Sequence, residues 1–146
     1  MSFQVRDKLT PELRRLSRAV ADPRPALAAG GEMLVSLTKR AFADASLRPA
    51  PWKPRKSGGT HPLLRKSGNL WQSIAVTGVT KTTVRVGSNA VYAAVQQLGS
   101  RKATGRGGGI PARPFFPFLP SGAPTPLAAQ RVREVIRDKL ANLLRR

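Results

Sequence analysis

Apolar residues recur at helical spacing at both ends of the chain, whereas the middle alternates or is interrupted by proline and glycine. These spacings predict an amphipathic first helix, a second helix capped by Asp22, and a C-terminal helix that begins at Thr125-Pro126. The residues that carry the three patterns are Leu9, Leu13, Leu16 and Val20; Leu27, Gly31, Leu34, Thr38, Ala41, Phe42 and Ala45; and Ala128, Val132, Val135, Ile136, Leu140, Leu143 and Leu144. The last stripe is interleaved with arginine and lysine, so it fits a membrane or nucleic-acid surface or the core of a small domain, and the core is favoured.

Two glycines interrupt the second predicted helix. Gly30 and Gly31 each cost about 1 kcal/mol of helix stability relative to alanine. Either the helix begins after them or another element packs closely against them, and we expect close packing. Prolines at positions 49, 51 and 54 end the helix, because proline cannot continue it.

The middle of the chain predicts a small antiparallel sheet. Alternating apolar residues indicate strands near Ser73 to Gly78 and Thr82 to Gly87, joined around Val79 to Lys81. Because two strands alone are marginally stable in water, the segment from Ile110 to Phe116 is expected to add an edge strand, where proline is tolerated.

A short helix and a long loop are expected between the sheet and that edge strand. Val91, Val95 and Leu98 have helical spacing, and Gly99 is a natural helix stop. The residues from Ser100 to Gly109 are rich in glycine and positive charge, which predicts a long flexible basic loop. The expected fold is α+β, a single domain of residues 1–146 in which a small antiparallel sheet packs against N-terminal and C-terminal helices.

The charge of the chain restricts its partners. Lys and Arg number 26 against seven Asp and Glu, a formal net charge of +19. Self-repulsion of this size is relieved by a polyanion or by an acidic protein surface. The chain has no cysteine and no apolar run long enough for a signal peptide or a membrane span, so we expect it to stay in the cytoplasm until it is built into something.

Residues suited to catalysis or metal binding are scarce. His61 lies between Thr60 and Pro62 without a nearby carboxylate, which is typical of an exposed bystander. The seven acids lie in predicted helices or their caps at the two ends, and none has paired-carboxylate or metal-ligand spacing. The glycine-rich loop lacks the Lys-Ser/Thr of a phosphate-binding P-loop. We therefore expect no enzyme activity, no cofactor and no metal.

The segment from Pro111 to Phe118 is stiff and apolar, with three phenylalanines among its prolines. Proline fixes the backbone in advance, so docking of the segment costs little ordering entropy, and exposed aromatics are common binding hot spots. The segment is therefore a candidate subunit contact. The alternative is that Phe115 and Phe116 close their own core, or that one side faces inward and the other outward. Trp52 has the same two interpretations, the rim of the core or a contact between subunits.

Three blocks of sequence resemble the phage virion morphogenesis family, the tail-completion proteins of Mu-like and related tailed phages. The blocks run from Leu63 through Ser67-Gly68 and Leu70 to Ile74, from Val84 through Gly87, Tyr92-Ala93 and Gln97 to Gly99, and from Ile110-Pro111 through Arg113 to Phe116. Trp52 and Pro54 also resemble a Trp-Pro loop of the family, so the resemblance covers residues 51–120.

The resemblance implies a structural virion protein that acts in tail completion or head–tail joining, in the neck, as a connector or tail terminator. Its expected partners are further copies of itself in a ring around the DNA path, a hexamer by expectation, with neighbouring neck and tail-tube proteins, genomic DNA in the lumen and no membrane. The expected location is the head–tail junction or tail end of the virion.

The residues expected to contact partners fall into two groups. The expected subunit contacts are Trp52, Tyr92, Arg113, Phe115, Phe116 and Phe118. Arg101, Lys102 and Arg106 of the basic loop are expected to meet DNA phosphates or acidic protein surfaces, and the sequence does not choose between these. The competing interpretation of the whole chain is a non-specific nucleic-acid-binding protein.

Overall fold

A computed structural model describes residues 17, 21–56, 58–101 and 109–145 of the chain. The predicted first helix, with Leu9, Leu13, Leu16 and Val20, lies outside the described residues. So do Lys102 and Arg106 of the predicted basic loop.

The fold is α+β, as the sequence predicts. The elements are α1 (Arg24–Arg40), a 3-10 helix (Ala45–Leu47), α2 (Asn69–Ser73), β1 (Ile74–Val79), β2 (Val84–Ser88), α3 (Ala93–Leu98) and α4 (Pro126–Arg145). In the part of the chain that the structure describes, no helix combines the length and apolar character needed to cross a membrane.

Helix α1 is the central layer, with α4 packed on one side and the β1–β2 sheet on the other. Gly30 and Gly31 make both contacts possible. A Cβ atom on Gly30 would lie 2.9 Å from the Ile136 side chain on α4, and one on Gly31 would lie 2.6 Å from the Val84 side chain on β2. The prediction of close packing at this glycine pair is confirmed, and Val132 and Ile136 of the α4 stripe lie against Gly30 of α1, whereas Ala128 is the buried residue of that stripe.

The start of α1 differs by one residue from the prediction. Pro23, not Asp22, is the N-cap residue, and its side chain makes no capping hydrogen bond. The Asp22 carboxylate instead accepts hydrogen bonds from Arg24, at 3.3 Å from the backbone nitrogen and 2.6 Å from Nε. The side-chain hydrogen bond from Arg24 lowers the pKa of Asp22.

The sheet has two antiparallel strands among the described residues. Val76 pairs with Val86, and one extra residue of β1 bulges between Val76 and Gly78. The prediction of a third strand is wrong, because the segment from Ile110 to Phe116 is bonded to the end of α3 instead of to the sheet. Arg113 donates its backbone N–H to the carbonyl of Gln96 at 2.7 Å, and the prolines of this segment have no N–H for a ladder.

The core lies where α1, α2, β1, α3 and the aromatic segment meet. Its buried members are Val35, Phe42, Trp52, Leu70, Ile74, Ala93 and Phe115. Phe42 lies between two other aromatic rings, 5.8 Å from Trp52 and 5.5 Å from Phe115 between ring centroids. Such pairs add roughly 0.5–1.5 kcal/mol each beyond the burial of their area.

Arg48 joins the end of α1 to this core. Its guanidinium donates to the carbonyls of Ala41 at 2.7 Å and Phe42 at 3.2 Å, which lie beyond the last turn of the helix. The same group stacks over the Trp52 ring at 3.7 Å. Burial lowers the pKa of Arg48. One side chain thus caps α1 and holds an aromatic residue of the core in place.

We expect Gly31→Ala to lower the free energy of unfolding by about 1–3 kcal/mol, because the added methyl group meets the stiff Val84 side chain in a packed layer. Gly30→Ala is the comparison, since the helix propensity gained is the same and the contacts are less close, at 2.9 Å to Ile136 and 3.3 Å to Val132 against 2.6 Å to Val84, so it should cost less. Urea unfolding of both variants measures the difference. Equal stabilities would contradict the close contact between α1 and β2.

Candidate interaction surface

The aromatic segment lies against the C-terminal end of α3, and Gly99 permits the approach. Gly99 has φ +78°, and a Cβ atom there would lie 2.9 Å from the backbone nitrogen of Ala112 and 3.0 Å from the carbonyl oxygen of Ile110. Its neighbour Ser100 donates its backbone N–H to Ile110 at 2.9 Å. Glycine is therefore required for both its backbone conformation and its lack of a side chain.

Gln97 holds the two phenylalanines that follow. Its Oε1 accepts hydrogen bonds from the backbone nitrogens of Phe115 at 2.9 Å and Phe116 at 3.0 Å. Its Nε2 donates to the carbonyl of Phe116 at 3.4 Å. One amide side chain thus provides the partners that a neighbouring strand would otherwise supply.

The connector from Pro51 to Pro54 is bonded to the same segment from the other side. Trp52 donates from Nε1 to the carbonyl of Pro114 at 2.7 Å. Arg113 donates from Nε to the carbonyl of Lys53 at 2.9 Å and from Nη2 to that of Pro54 at 3.3 Å. The segment is therefore fixed between α3 and the connector.

The aromatic side chains divide between the inside and the outside of the chain. Phe115 is 0% exposed, whereas Phe116 and Phe118 are half-buried. The rings of Phe115 and Phe116 lie 4.9 Å apart between centroids. The sequence left open whether the whole segment closes the core or only one side of it does. In the structure, one side of the segment faces inward and the other faces outward.

The outward side forms one wall of an apolar groove of about 700 Å³. Its lining includes Pro51, Val86, Leu98, Pro114, Phe116 and Phe118. Leu98 stands at the rim with 78% of its surface exposed. An apolar concavity with an exposed leucine at its rim is typical of a protein–protein contact.

The residues predicted as subunit contacts do not all reach this groove. Trp52, 9% exposed, and Phe115 belong to the core, where they leave almost no surface for a partner. Tyr92 and Arg113 line a different concavity, beside the loop from Arg55 to Ser67. Of the six, Phe116 and Phe118 line the groove. Of the predicted basic contacts, Arg101 is exposed, while Lys102 and Arg106 lie outside the described residues.

Sequence reasoning missed Leu98 and Gln97 as members of this surface. The predicted short helix is present, but its apolar spacing does not mark a buried face, since Val91 is 96% exposed and Leu98 is also largely exposed. No local pattern indicates the role of Gln97, because its partners lie 18 and 19 residues further along the chain.

Among the described residues, no group of three or more His, Asp or Glu side chains is close enough to hold a metal ion. His61 is exposed, and its backbone carbonyl accepts a hydrogen bond from Arg55. The geometry of the groove therefore supports binding and offers no arrangement of nucleophile and base.

Comparison with known proteins supports the family resemblance of the three sequence blocks. The model of the phage virion morphogenesis family matches residues 5–141. The chain belongs to this family. It is also 34% identical over 113 residues to the Mu-like prophage FluMu G protein 2 of Haemophilus influenzae, across 77% of this chain and 79% of that protein. No solved structure matches the chain.

Membership confirms the resemblance and extends it beyond residues 51–120 into both flanking helical regions. It also gives the chain a structural role in building phage particles. Within the family blocks, Gln97, Gly99 and Arg113 have a physical explanation, because they join the second block to the third and to the connector.

We expect Gln97→Ala to lower the free energy of unfolding by about 1–3 kcal/mol, since two backbone N–H groups lose their acceptor. Gln97→Glu keeps the accepting oxygens and should lose less. Gln72→Ala, on the exposed side of α2, is the control for loss of a helical glutamine. Urea unfolding followed by tryptophan fluorescence reports on the segment directly, because Trp52 is bonded to it. A loss no larger in Gln97→Ala than in Gln72→Ala would contradict the role of this amide.

Proposed function

We propose that this protein is a subunit of a ring that surrounds the DNA path of a tailed phage, in tail completion or head–tail joining. The groove beside Phe116 and Phe118 carries the proposal, because it is an outward apolar surface held rigid by hydrogen bonds on both sides. Family membership supports a structural role in the virion.

The ring contact follows from the shape of the surface. A groove on one copy fits a different surface of the next copy, so the contact is heterologous and closes after a fixed number of copies, six in our proposal. The two-stranded sheet supports the same arrangement, because the outer edges of β1 and β2 have no strand partner among the described residues. Association of neighbouring copies covers such edges.

The position along the particle is part of the proposal. A ring at the head–tail junction or tail end contacts neck and tail-tube proteins above and below, and encloses the genome. The net charge of +19 supports a location beside DNA or acidic protein surfaces. Arg101, which is exposed, follows α3 and Gly99 in the chain.

A second candidate function is non-specific nucleic-acid binding outside any ring. The distribution of charge favours it, since no Asp or Glu occurs from residue 45 to residue 133. The outer face of the sheet in this region carries Ala75, Thr77 and Arg85, all exposed. The chain shows no aromatic platform on this face for stacking bases, so binding here would act through phosphates alone.

We expect Leu98→Asp to prevent incorporation of the protein into particles, because a carboxylate at the rim of the groove blocks burial against a neighbour. Val91→Asp is the matched control, with the same change of charge at an exposed apolar residue that does not line the groove. Each variant is supplied in trans to a phage that lacks the gene. Purified particles are then assayed for the protein and for completed, joined tails.

The ring proposal predicts normal particles with Val91→Asp and unjoined or incomplete tails with Leu98→Asp. Absence of the unmodified protein from purified particles would overturn it. So would normal particles containing the Leu98→Asp variant, because the groove would then have no part in assembly.

Salt dependence separates the two candidate functions. Binding through phosphates weakens by about a hundredfold or more between low and physiological ionic strength, because each neutralised phosphate releases counterions. A ring held by apolar contacts keeps its mass over the same range. Mass photometry and DNA binding, measured side by side in a salt series, identify which of the two associations survives at physiological salt.

A further inference from the structure

A second concavity, of about 430 Å³, lies on the other side of the aromatic segment and shares no lining residue with the groove. Its lining includes three cationic residues: Arg55, Lys66 and Arg113. No Asp or Glu lines it. We call it the basic pocket.

The loop around the basic pocket is folded back on itself. Arg55 donates from Nη2 to the carbonyl of His61, and Arg65 donates its backbone N–H to Pro62 at 3.3 Å. Leu64, between them, has φ 61°, a left-handed conformation that a leucine rarely adopts. The pocket is therefore a formed concavity, with Leu63, Leu64 and Leu70 as apolar walls beside the cations.

Two residues that line this pocket each have a buried polar atom without a hydrogen-bond partner. Among the described residues, the buried side-chain nitrogens and oxygens without a hydrogen bond are Arg55 Nη1 and Gln96 Oε1. Both residues line the basic pocket. An unpaired buried polar atom costs roughly 1–3 kcal/mol, and more when it is charged. A ligand that brings both an anionic acceptor and a donor would satisfy the two atoms.

We propose that the basic pocket binds an acidic peptide segment of another protein. A side-chain carboxylate accepts from Arg55 and Lys66, and a backbone N–H of the same segment donates to Gln96 Oε1. The leucine walls accommodate the methylene groups of the acidic side chain. A DNA phosphodiester group supplies acceptors only, so it leaves Gln96 Oε1 without a donor.

The segment comes from a different protein and not from a second copy. The chain has seven Asp and Glu, and no two of them lie closer than four positions apart, so its own sequence offers no acidic segment. Four of the five acids that the structure describes are already engaged by side chains or backbone of their own chain: Asp22, Asp44, Glu134 and Asp138. The partner is therefore an acidic protein. The inference does not rest on the ring proposal, since the basic pocket and the groove are separate surfaces.

The test is binding of a fluorescein-labelled octapeptide that alternates leucine and glutamate, measured by fluorescence anisotropy on the full-length protein. The same peptide with glutamine in place of glutamate should not bind. Lys66→Gln should weaken binding by about tenfold, as loss of one charge-assisted contact predicts. Lys81→Gln, in the exposed turn between β1 and β2, removes the same charge away from the pocket and should leave binding unchanged.

A third variant separates binding from folding. Gln96→Leu should weaken peptide binding without lowering the free energy of unfolding, because it replaces a buried oxygen that has no partner. Equal weakening by Lys66→Gln and Lys81→Gln would overturn the proposal, since net charge alone would then explain binding. No binding of the glutamate peptide would also overturn it, as would tighter binding of a short DNA duplex that is lost in Lys66→Gln but not in Lys81→Gln.

Discussion

The position of the aromatic segment at Phe115 and Phe116 depends on one side chain. Gln97 accepts two backbone hydrogen bonds from Phe115 and Phe116, and so fixes an extended segment that has no strand beside it. Prolines on both sides of these residues remove donors that a ladder would need, so the amide of Gln97 takes the place of the ladder. With the segment held, Phe115 enters the core and Phe116 faces the groove. Loss of this contact would free the backbone at Phe115 and Phe116, while the hydrogen bonds of Arg113 and of the Pro114 carbonyl would still hold the start of the segment.

The alternation of the segment explains why two unlike concavities lie back to back. Pro114 and Phe116 line the apolar groove, whereas Arg113 lines the basic pocket. Helix α3 divides in the same way, with Gln97 and Leu98 on the groove and Gln96 on the pocket. In the aromatic segment this division arises because an extended chain turns successive residues to opposite sides, and in α3 it arises from the rotation of the helix between Gln96 and Gln97. Two partners can then bind the two surfaces without competing for the same side chains.

The parts of the fold that were predictable from sequence are those set by local pattern. The packing at Gly30 and Gly31 follows from the cost of glycine in a helix, whereas α1 ends at Arg40, nine residues before the first of the prolines that were predicted to end it. The error at residues 110–116 has a different origin. Apolar residues flanked by proline are compatible with an edge strand. In the structure, the backbone N–H groups of Phe115 and Phe116 donate to Gln97 Oε1 and not to a strand. Contacts such as Trp52 with Pro114, 62 residues apart, carry no local signal. Local sequence also does not say which of Phe115 and Phe116 faces inward.

Charge and packing place opposite demands on this small chain. A net charge of +19 opposes compaction, and the acids that could offset it lie near the two ends, where α1 and α4 pack together. The middle of the chain is left with positive charges and no carboxylate to pair with them. There the cations are held by neutral groups instead, as Arg48 is by helix carbonyls and the Trp52 ring, and Arg113 by the connector carbonyls. Carbonyl groups and aromatic rings orient a cation but do not cancel its charge. The folded domain therefore keeps a net positive charge that an anionic partner would offset. In the assembly that we propose, an acidic partner would relieve a repulsion that folding leaves in place, while the apolar groove would supply contact energy that does not depend on salt.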